Sequence, residues 1–329
     1  MTRQKKCPCR QATPDPLVKE RRHLAITGAT GFIGQALCSH LIKEGFTVSA
    51  LVRDVARASS LIDENVTLVA GSLDDTESLY TVLKNCDGVI HCAGAVRGQS
   101  QDDFNRTNVH GTAKLLEVVN RQSKVPKFLL ISSLAAREPK LSWYAQSKYQ
   151  GEQQLHTQPG TLDWAILRPP PVYGPGDKEM LPIFKAMVRG IAPVPGDTSA
   201  RTSLVHVDDV VAAITALLRL AQLERATYTL HDGKTDGYDW TEMAAEVAAV
   251  WHCKVRLIPV PATLLNTFAR VNLSLSKILG YAPMLTPAKL KELRHPDWVV
   301  SNHEITASTG WKPRISFKTG LEMLRDSVL

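Results

Sequence analysis

The stretch HLAITGATGFIGQALCSHLIKEG, residues 23–45, decides the reading of this chain. Its first five residues form an apolar run of strand length. Its last part carries Ile33, Leu37, Leu41 and Ile42 at helical spacing and stops at Gly45. Between the two lie Gly28, Gly31 and Gly34, three apart. Glycine permits a tight turn and lets the backbone approach a pyrophosphate, which then sits at the helix N-terminus. The loop is not the G-x-G-x-x-G version, so the spacing gains its weight from the residues on its C-terminal side.

Those residues alternate between two patterns. TVSALV (47–52), VTLVA (66–70), GVIHCAG (88–94), KFLLIS (127–132) and LDWAILR (162–168) are apolar runs. Helical patterns separate them, one with Leu79, Val82 and Leu83 and another with Val109, Leu115, Leu116, Val118 and Val119. Strands apolar on both faces and joined by helices predict an α/β fold, a doubly wound parallel sheet of the Rossmann type. Its ligands bind off the carboxyl ends of the strands. After residue 170 prolines 169, 170, 171, 175, 182, 193 and 195 break the pattern. The expected organisation is a lead-in over 1–22, a dinucleotide-binding domain over 23–172 and a smaller, mostly substrate-binding part over 173–329. A segment near 204–222 is expected to return to the sheet.

Composition narrows the class. The chain has 329 residues, 44% hydrophobic and 22% charged, ordinary for a globular enzyme. Much of the formal net charge of +7 sits in the first 22 residues, which hold Arg3, Lys5, Lys6, Arg10, Lys19, Arg21 and Arg22. The remainder is close to balanced, which argues against a nucleic-acid partner, and the basic, proline-containing lead-in is expected to be disordered. Cysteines 7, 9, 38, 86, 92 and 253 form no ligand cluster and are expected to be reduced thiols, with no metal bound. The chain has no run of 18 apolar residues and no signal-peptide core, so the expected location is the cytoplasm.

The chemistry concentrates in SSLAAREPKLSWYAQSK, residues 132–148. Tyr144 and Lys148 are four apart and share a helix face, and Ser133 ends the fifth strand. A phenol beside an ammonium can exchange a proton with a carbonyl oxygen that a serine hydroxyl polarises. A second Tyr-x-x-x-Lys, Tyr80 with Lys84, lacks a serine at a strand end and reads as helix surface. Arg53 lies 19 positions past Gly34, where an arginine accommodates a 2′-phosphate and an acid would bind the ribose diol. With Arg57 one turn later, this favours NADP(H) over NAD(H); the alternative gives Asp54 the acidic role. His206-Val207-Asp208-Asp209 reads as a strand end and helix start, with Asp208 as the cap and His206 supporting the fold, and His91 reads as a packed strand residue. The segment 262–280 could lie on a membrane surface; a buried helix or a dimer contact is the preferred reading.

TGATGFIG, HCAG, NVHGT, SS…YAQSK, LRPPPVYGPGD and SLVHVDDVV, in this order, resemble the extended short-chain dehydrogenase/reductase superfamily over about residues 23–325. The resemblance implies catalytic roles for Ser133, Tyr144 and Lys148. It also implies dinucleotide contacts from Gly28, Thr30, Gly31, Phe32, Ile33, Gly34, Arg53, Leu73, Ala93 and Gly94, from Tyr144 and Lys148, and from Pro169 and Val172 near the nicotinamide. A homodimer is a further family expectation. Two departures set this chain apart from nucleotide-sugar enzymes. Only eleven positions separate Ser133 from Tyr144, with no Tyr-Gly loop between them, and Pro171 stands where those enzymes carry an asparagine. Arg201 is the candidate for their sugar-diphosphate contact. The leading expectation is an NADP(H)-dependent oxidoreductase acting on the carbonyl of a mostly apolar small molecule. The alternatives are a nucleotide-sugar epimerase or dehydratase holding NAD, and a cofactor-binding protein without turnover.

Overall fold

The computed structural model describes residues 22–283 and 285–328. The basic lead-in, with Cys7 and Cys9, lies outside them except for Arg22. Seven parallel strands form the main sheet: β1 (His23–Thr27), β2 (Thr47–Val52), β3 (Val66–Ala70), β4 (Gly88–His91), β5 (Lys127–Ile131), β6 (Trp164–Arg168) and a late strand, Thr227–Thr229. Their order is β3-β2-β1-β4-β5-β6 with the late strand beside β6. The order reverses at β1, where β2 pairs with one edge and β4 with the other. That is the point at which such a sheet opens a crevice for a ligand.

The central strands feed two cores because successive side chains point to opposite faces. Leu24, Ile26, Ile90, Leu129, Ile131, Ala165 and Leu167 enter one cluster. Ala25, Val89, Phe128, Leu130, Trp164 and Ile166 enter the other. Helix α1 (Phe32–Lys43) covers the first face through Leu37, Cys38 and Leu41. Helices α2 (Thr76–Leu83) and α4 (Thr112–Asn120) contribute Leu79, Val82, Leu115, Leu116 and Val119 to the second. Ahead of α4, α3 (Gln101–Asn105) runs on through a π-helical stretch, Arg106–Gly111. Helix α5 (Trp143–His156) closes the same face. Tyr80, 39% exposed on α2, is the surface residue its isolated motif suggested.

The remaining chain alternates short strands and helices: β7 (Val172–Tyr173), α6 (Leu181–Val188), β8 (Ile191–Val194), β9 (Arg201–Thr202), β10 (Val205–His206) and α7 (Val207–Arg219). Then come the seventh strand of the sheet, β11 (Thr227–Thr229), α8 (Trp240–Trp251), β12 (Arg256–Pro259), α9 (Ala262–Leu279), α10 (Pro287–Leu293) and β13 (Asp297–Trp298). β7 pairs with β10, β8 with β12 and β9 with β13. A third cluster around Tyr173, Phe184, Met187, Val247, Phe317 and Leu321 lies under these pieces. Helix α7 packs on α1, and β11 joins the main sheet beside β6.

Two expectations about individual elements need correction. His206, not Asp208, caps α7: its Nδ1 accepts from the Asp208 amide at 3.2 Å, while Asp208 sits in the first turn with its side chain half exposed. The buried acid is Asp209, which accepts amide hydrogens from Arg314 and Ile315 and so ties the C-terminal segment to α7. Helix α9 is not buried. Only Ala269 and Ser276 on it are, and it packs against α10.

Candidate active site

The glycine loop is a backbone cradle. Gly28 has φ +73°, and a Cβ there would lie 2.4 Å from the Ala93 amide nitrogen at the end of β4. A Cβ on Gly34 would lie 2.2 Å from the Gly28 carbonyl oxygen. No side chain caps α1, whose N-cap is Gly31. The first-turn amides of α1 are therefore left for an anion, and glycine at 28 and 34 lets the loop pack this closely on Ala93 and on its own backbone. This arrangement fits a dinucleotide pyrophosphate. Gln35 Nε2 donates to the Thr30 carbonyl at 3.0 Å, and Phe32 and Ile33 are half buried behind the loop.

Arg53 and Asp54 stand exposed at the end of β2. Asp54 is used locally: it accepts from the Ala56 amide at 3.0 Å and pairs with Arg57 at 3.3 Å. Leu73 lies over Gly111, where a Cβ would meet its Cδ1 at 2.6 Å. Ala93 and Gly94 follow β4, and Gly94 is a neighbour of the Lys148 ammonium, 3.6 Å from where a Cβ would sit. Pro169 is buried and accepts from the Leu134 amide at 2.9 Å, while Val172 starts β7 beside it. All these positions lie at the carboxyl ends of their strands or in the loops after them.

Ser132 and Ser133 divide their labour. Ser132 is buried and donates to Glu152 Oε1 at 2.5 Å. Arg168 holds the same carboxylate with two nitrogens, at 2.9 and 2.5 Å. Ser133 is half buried and opens the turn after β5, its Oγ accepting from the Ala135 amide at 3.2 Å. Helix α5 begins at Ser142, whose Oγ accepts from the Ala145 amide at 2.9 Å, and this start places Tyr144 in its first turn. Lys148, one turn on, is buried and donates to the Ile131 carbonyl at 2.8 Å. Burial pushes the Lys148 ammonium down to about 8, against the pull of Glu152.

Burial raises the Tyr144 phenol above its usual value, while hydrogen bonding by the Ser133 side chain and the charge of Lys289 act to lower it. Lys289, on α10, lies over the Tyr144 ring with its Nζ 5.3 Å from the centroid. Glu292 holds that ammonium at 2.7 Å and also accepts from the Ser142 hydroxyl. Burial alone would lower the Lys289 pKa, but the Glu292 carboxylate overrides it and keeps the cation above its ordinary value. A small recess of about 20 Å³ opens in front of the tyrosine, lined by Val96, Phe104, Trp143, Pro283 and Ala288 and by the polar Ser142, Thr286, Lys289 and Glu292. Its walls are mixed, apolar on the side of Val96, Phe104 and Pro283 and charged where Lys289 and Glu292 meet.

Sequence reasoning missed Lys289, Glu292 and Asn108. The first two lie about 145 residues beyond the tyrosine in a segment without motif. Asn108 is buried in the π-helical stretch, a feature common near functional sites. Its amide donates to the Ala95 carbonyl at 3.0 Å and to Ser147 Oγ at 2.8 Å, and its Oδ1 accepts from the Ala95 amide at 2.8 Å. It thus locks the loop after β4 to α5. His91 is the packed residue expected, between Thr27 Oγ1 at 2.6 Å and Thr112 Oγ1 at 3.0 Å; burial drives its pKa down to about 3 and keeps it neutral. Arg201 is enclosed by acids: its guanidinium meets Asp236, Asp239 and Glu242 at 3.1, 3.3 and 2.8 Å. No cluster with metal-ligand character occurs among the described residues.

The profile of the NAD-dependent epimerase/dehydratase family matches residues 24–228. The chain is 36% identical over 281 residues to a ceramide reductase of Caulobacter vibrioides, covering 85% of this chain and 86% of that protein. It is 24% identical to a UDP-glucose 4-epimerase of Vibrio cholerae over 94% of this chain and 97% of that one. A UDP-glucose 4-epimerase of Thermotoga maritima, solved with UDP-glucose, superposes with a TM-score of 0.72 at 20% identity, covering 93% of this chain and all of that one, which establishes the shared fold. The chain belongs to the NAD-dependent epimerase/dehydratase family and is an NAD(P)-dependent enzyme of the extended short-chain dehydrogenase/reductase superfamily.

Proposed function

We propose that this enzyme is an NADP(H)-dependent oxidoreductase that reduces a ketone on a mostly apolar small molecule. The observation that carries this reading is the placement of Tyr144, in reach of the Ser133 side chain, at a recess whose apolar side is formed by Val96, Phe104, Trp143, Pro283 and Ala288. The similarity to a ceramide reductase, whose name denotes a lipid, points the same way.

The roles derive from the contacts. Ser133 donates a hydrogen bond to the carbonyl oxygen and stabilises the charge that develops there. Tyr144 gives that oxygen its proton. Lys289 favours the phenolate that this transfer leaves behind, and Lys148, held on the Ile131 carbonyl beside Gly94, takes the cofactor-side role that the family resemblance implies. Gly28, Thr30, Gly31, Phe32, Ile33 and Gly34 hold the dinucleotide with Leu73, Ala93, Gly94, Pro169 and Val172. Bound there, it supplies the hydride. Within this reading residues 23–172 form the dinucleotide domain and 173–329 mostly the substrate-binding part.

Arg53 supports the phosphate-bearing cofactor. It has no hydrogen bond or ion pair among the described residues, whereas Asp54 is occupied by Arg57 and the Ala56 amide. The nucleotide-sugar reading would need a cation for a diphosphate, and the expected one, Arg201, is already surrounded by three carboxylates.

The test is a titration of the cofactor-free protein with NADPH and NADH, repeated with Arg53→Ala, then an assay of long-chain ketones with NADPH. Tighter NADPH binding that is lost in the variant, together with turnover that Tyr144→Phe abolishes, is the expected result. NADH binding equal or better and indifferent to Arg53, with a UDP-sugar as the only substrate, would replace this reading by the epimerase one.

A further inference from the structure

We propose that helix α9 is a docking element for an anionic membrane surface, set beside the mouth of the active-site cleft. Leu264, Phe268, Val271, Leu275 and Ile278 recur at intervals of three and four and so form one stripe along the helix. All five are exposed, Ile278 to 80%, and Leu279 extends the patch at 69%. An 18-residue helix that turns its apolar face outward has the character of an interfacial helix. A contiguous patch of this kind marks a contact surface, in contrast to scattered single hydrophobics.

Charge selects the partner. Helix α9 contains no aspartate or glutamate; its charged residues are Arg270 and Lys277, both exposed. They are two turns apart and flank the same edge of the apolar stripe, where cations meet lipid headgroups while the stripe enters the acyl boundary. No helix among the described residues is long and apolar enough to cross a membrane, so the contact is peripheral.

Position gives the contact a use. The Gln99 side-chain amide donates to the carbonyls of Ser276 and Tyr281, both at 2.8 Å, and fastens the end of α9 to the loop that contributes Val96 and Gly98 to the cleft. Pro283 and Thr286, just past the helix, line the same cleft, and Val96 at its rim is 56% exposed. A bilayer held against Leu275, Ile278 and Leu279 would bring its headgroup region next to the opening that leads to Tyr144. The membrane contact rests on the helix itself; its purpose, delivery of an apolar ketone, rests on the reductase reading.

The test is co-sedimentation of the full chain with vesicles of phosphatidylglycerol and phosphatidylcholine, and with phosphatidylcholine alone, in the absence of substrate. Expected is binding to the anionic vesicles that falls at least tenfold in Leu275→Glu/Ile278→Glu and weakens in Arg270→Glu/Lys277→Glu. NADPH affinity stays unchanged in both, which reports an intact fold. Binding that survives both double variants would assign the attraction to the basic N-terminal segment and overturn the proposal. So would a wild-type dimer that Leu275→Glu/Ile278→Glu makes monomeric while vesicles bind neither, which would make a second copy of the chain the occupant. Vesicle binding without ketone turnover would leave the docking in place and remove only the reductase reading.

Discussion

The ammonium of Lys289 sits over the ring of Tyr144, 5.3 Å from its centroid, and is held there by Glu292. A cation from the C-terminal part of the chain thus acts on the proposed proton donor. Its charge lowers the phenol's pKa and favours the anion that proton donation creates. Lys289→Met is expected to move the tyrosine ionisation upward and reduce kcat on the order of tenfold. Lys289→Arg should keep most of both. Spectroscopic titration of the phenol and the pH profile of kcat decide it: a lower kcat with an unmoved profile would make Lys289 a packing residue only.

Ser132 and Ser133 are adjacent but face different tasks, and their alanine variants should separate cleanly. Ser133→Ala is expected to lower kcat/KM by roughly 10²-fold with little change in Tm. Ser132→Ala removes a buried donor from the Glu152–Arg168 pair and is expected to cost about 1–3 kcal/mol of stability. Thermal melts and steady-state rates on the same preparations check the contrast. Equal losses of activity per folded molecule would contradict it.

The glycine cradle predicts a loss of binding by steric means alone. Gly34→Ala puts a methyl group 2.2 Å from the Gly28 carbonyl, a distance that backbone must relieve by moving. Overpacking of this kind costs about 1–3 kcal/mol. The moved loop should weaken both NADPH and NADH, in contrast to Arg53→Ala, which should weaken NADPH selectively. Calorimetric titration of the two variants distinguishes pyrophosphate from 2′-phosphate recognition.

The sheet was legible in the sequence because its central strands β1, β4, β5 and β6 are buried on both faces and almost wholly apolar, whereas the three-residue β11, half buried at the edge, carries no such run. Leu24, Ala25 and Ile26 illustrate this: they serve two different cores and leave no polar position between them. Ser133, Tyr144 and Lys148 were legible because they lie within 16 residues of one another on a strand end and one helix turn. Lys289 and Glu292 were not, because what brings them to Tyr144 is the packing of α10, which no local spacing encodes. The cap of α7 falls on His206 instead of Asp208 because both types accept amide hydrogens, and only the backbone register of β10 into α7 chooses between them. The exposure of helix α9 was not legible for a related reason: amphipathic spacing gives the apolar face but not the direction in which that face points.

Lys148 predicts a pH dependence of stability in the cofactor-free protein. Its pKa falls from 10.5 to about 8 because burial disfavours the charged form. Below the lower value both the folded and the unfolded chain carry the proton, and the folded state bears the full cost of the buried charge. Between the two values the unfolded chain keeps the proton while the folded chain releases it, so the free energy of unfolding rises with pH across this window. The contribution over the whole window is about 3 kcal/mol. Lys148→Met has no such group, so the stability of the wild type relative to the variant should climb from about pH 8 to about pH 10.5 and level off above it. Urea denaturation of both proteins across that range measures the difference. Parallel curves would mean that the Ile131 carbonyl and Glu152 keep Lys148 charged in the folded state throughout, and that the amine enters the reaction as a fixed cation.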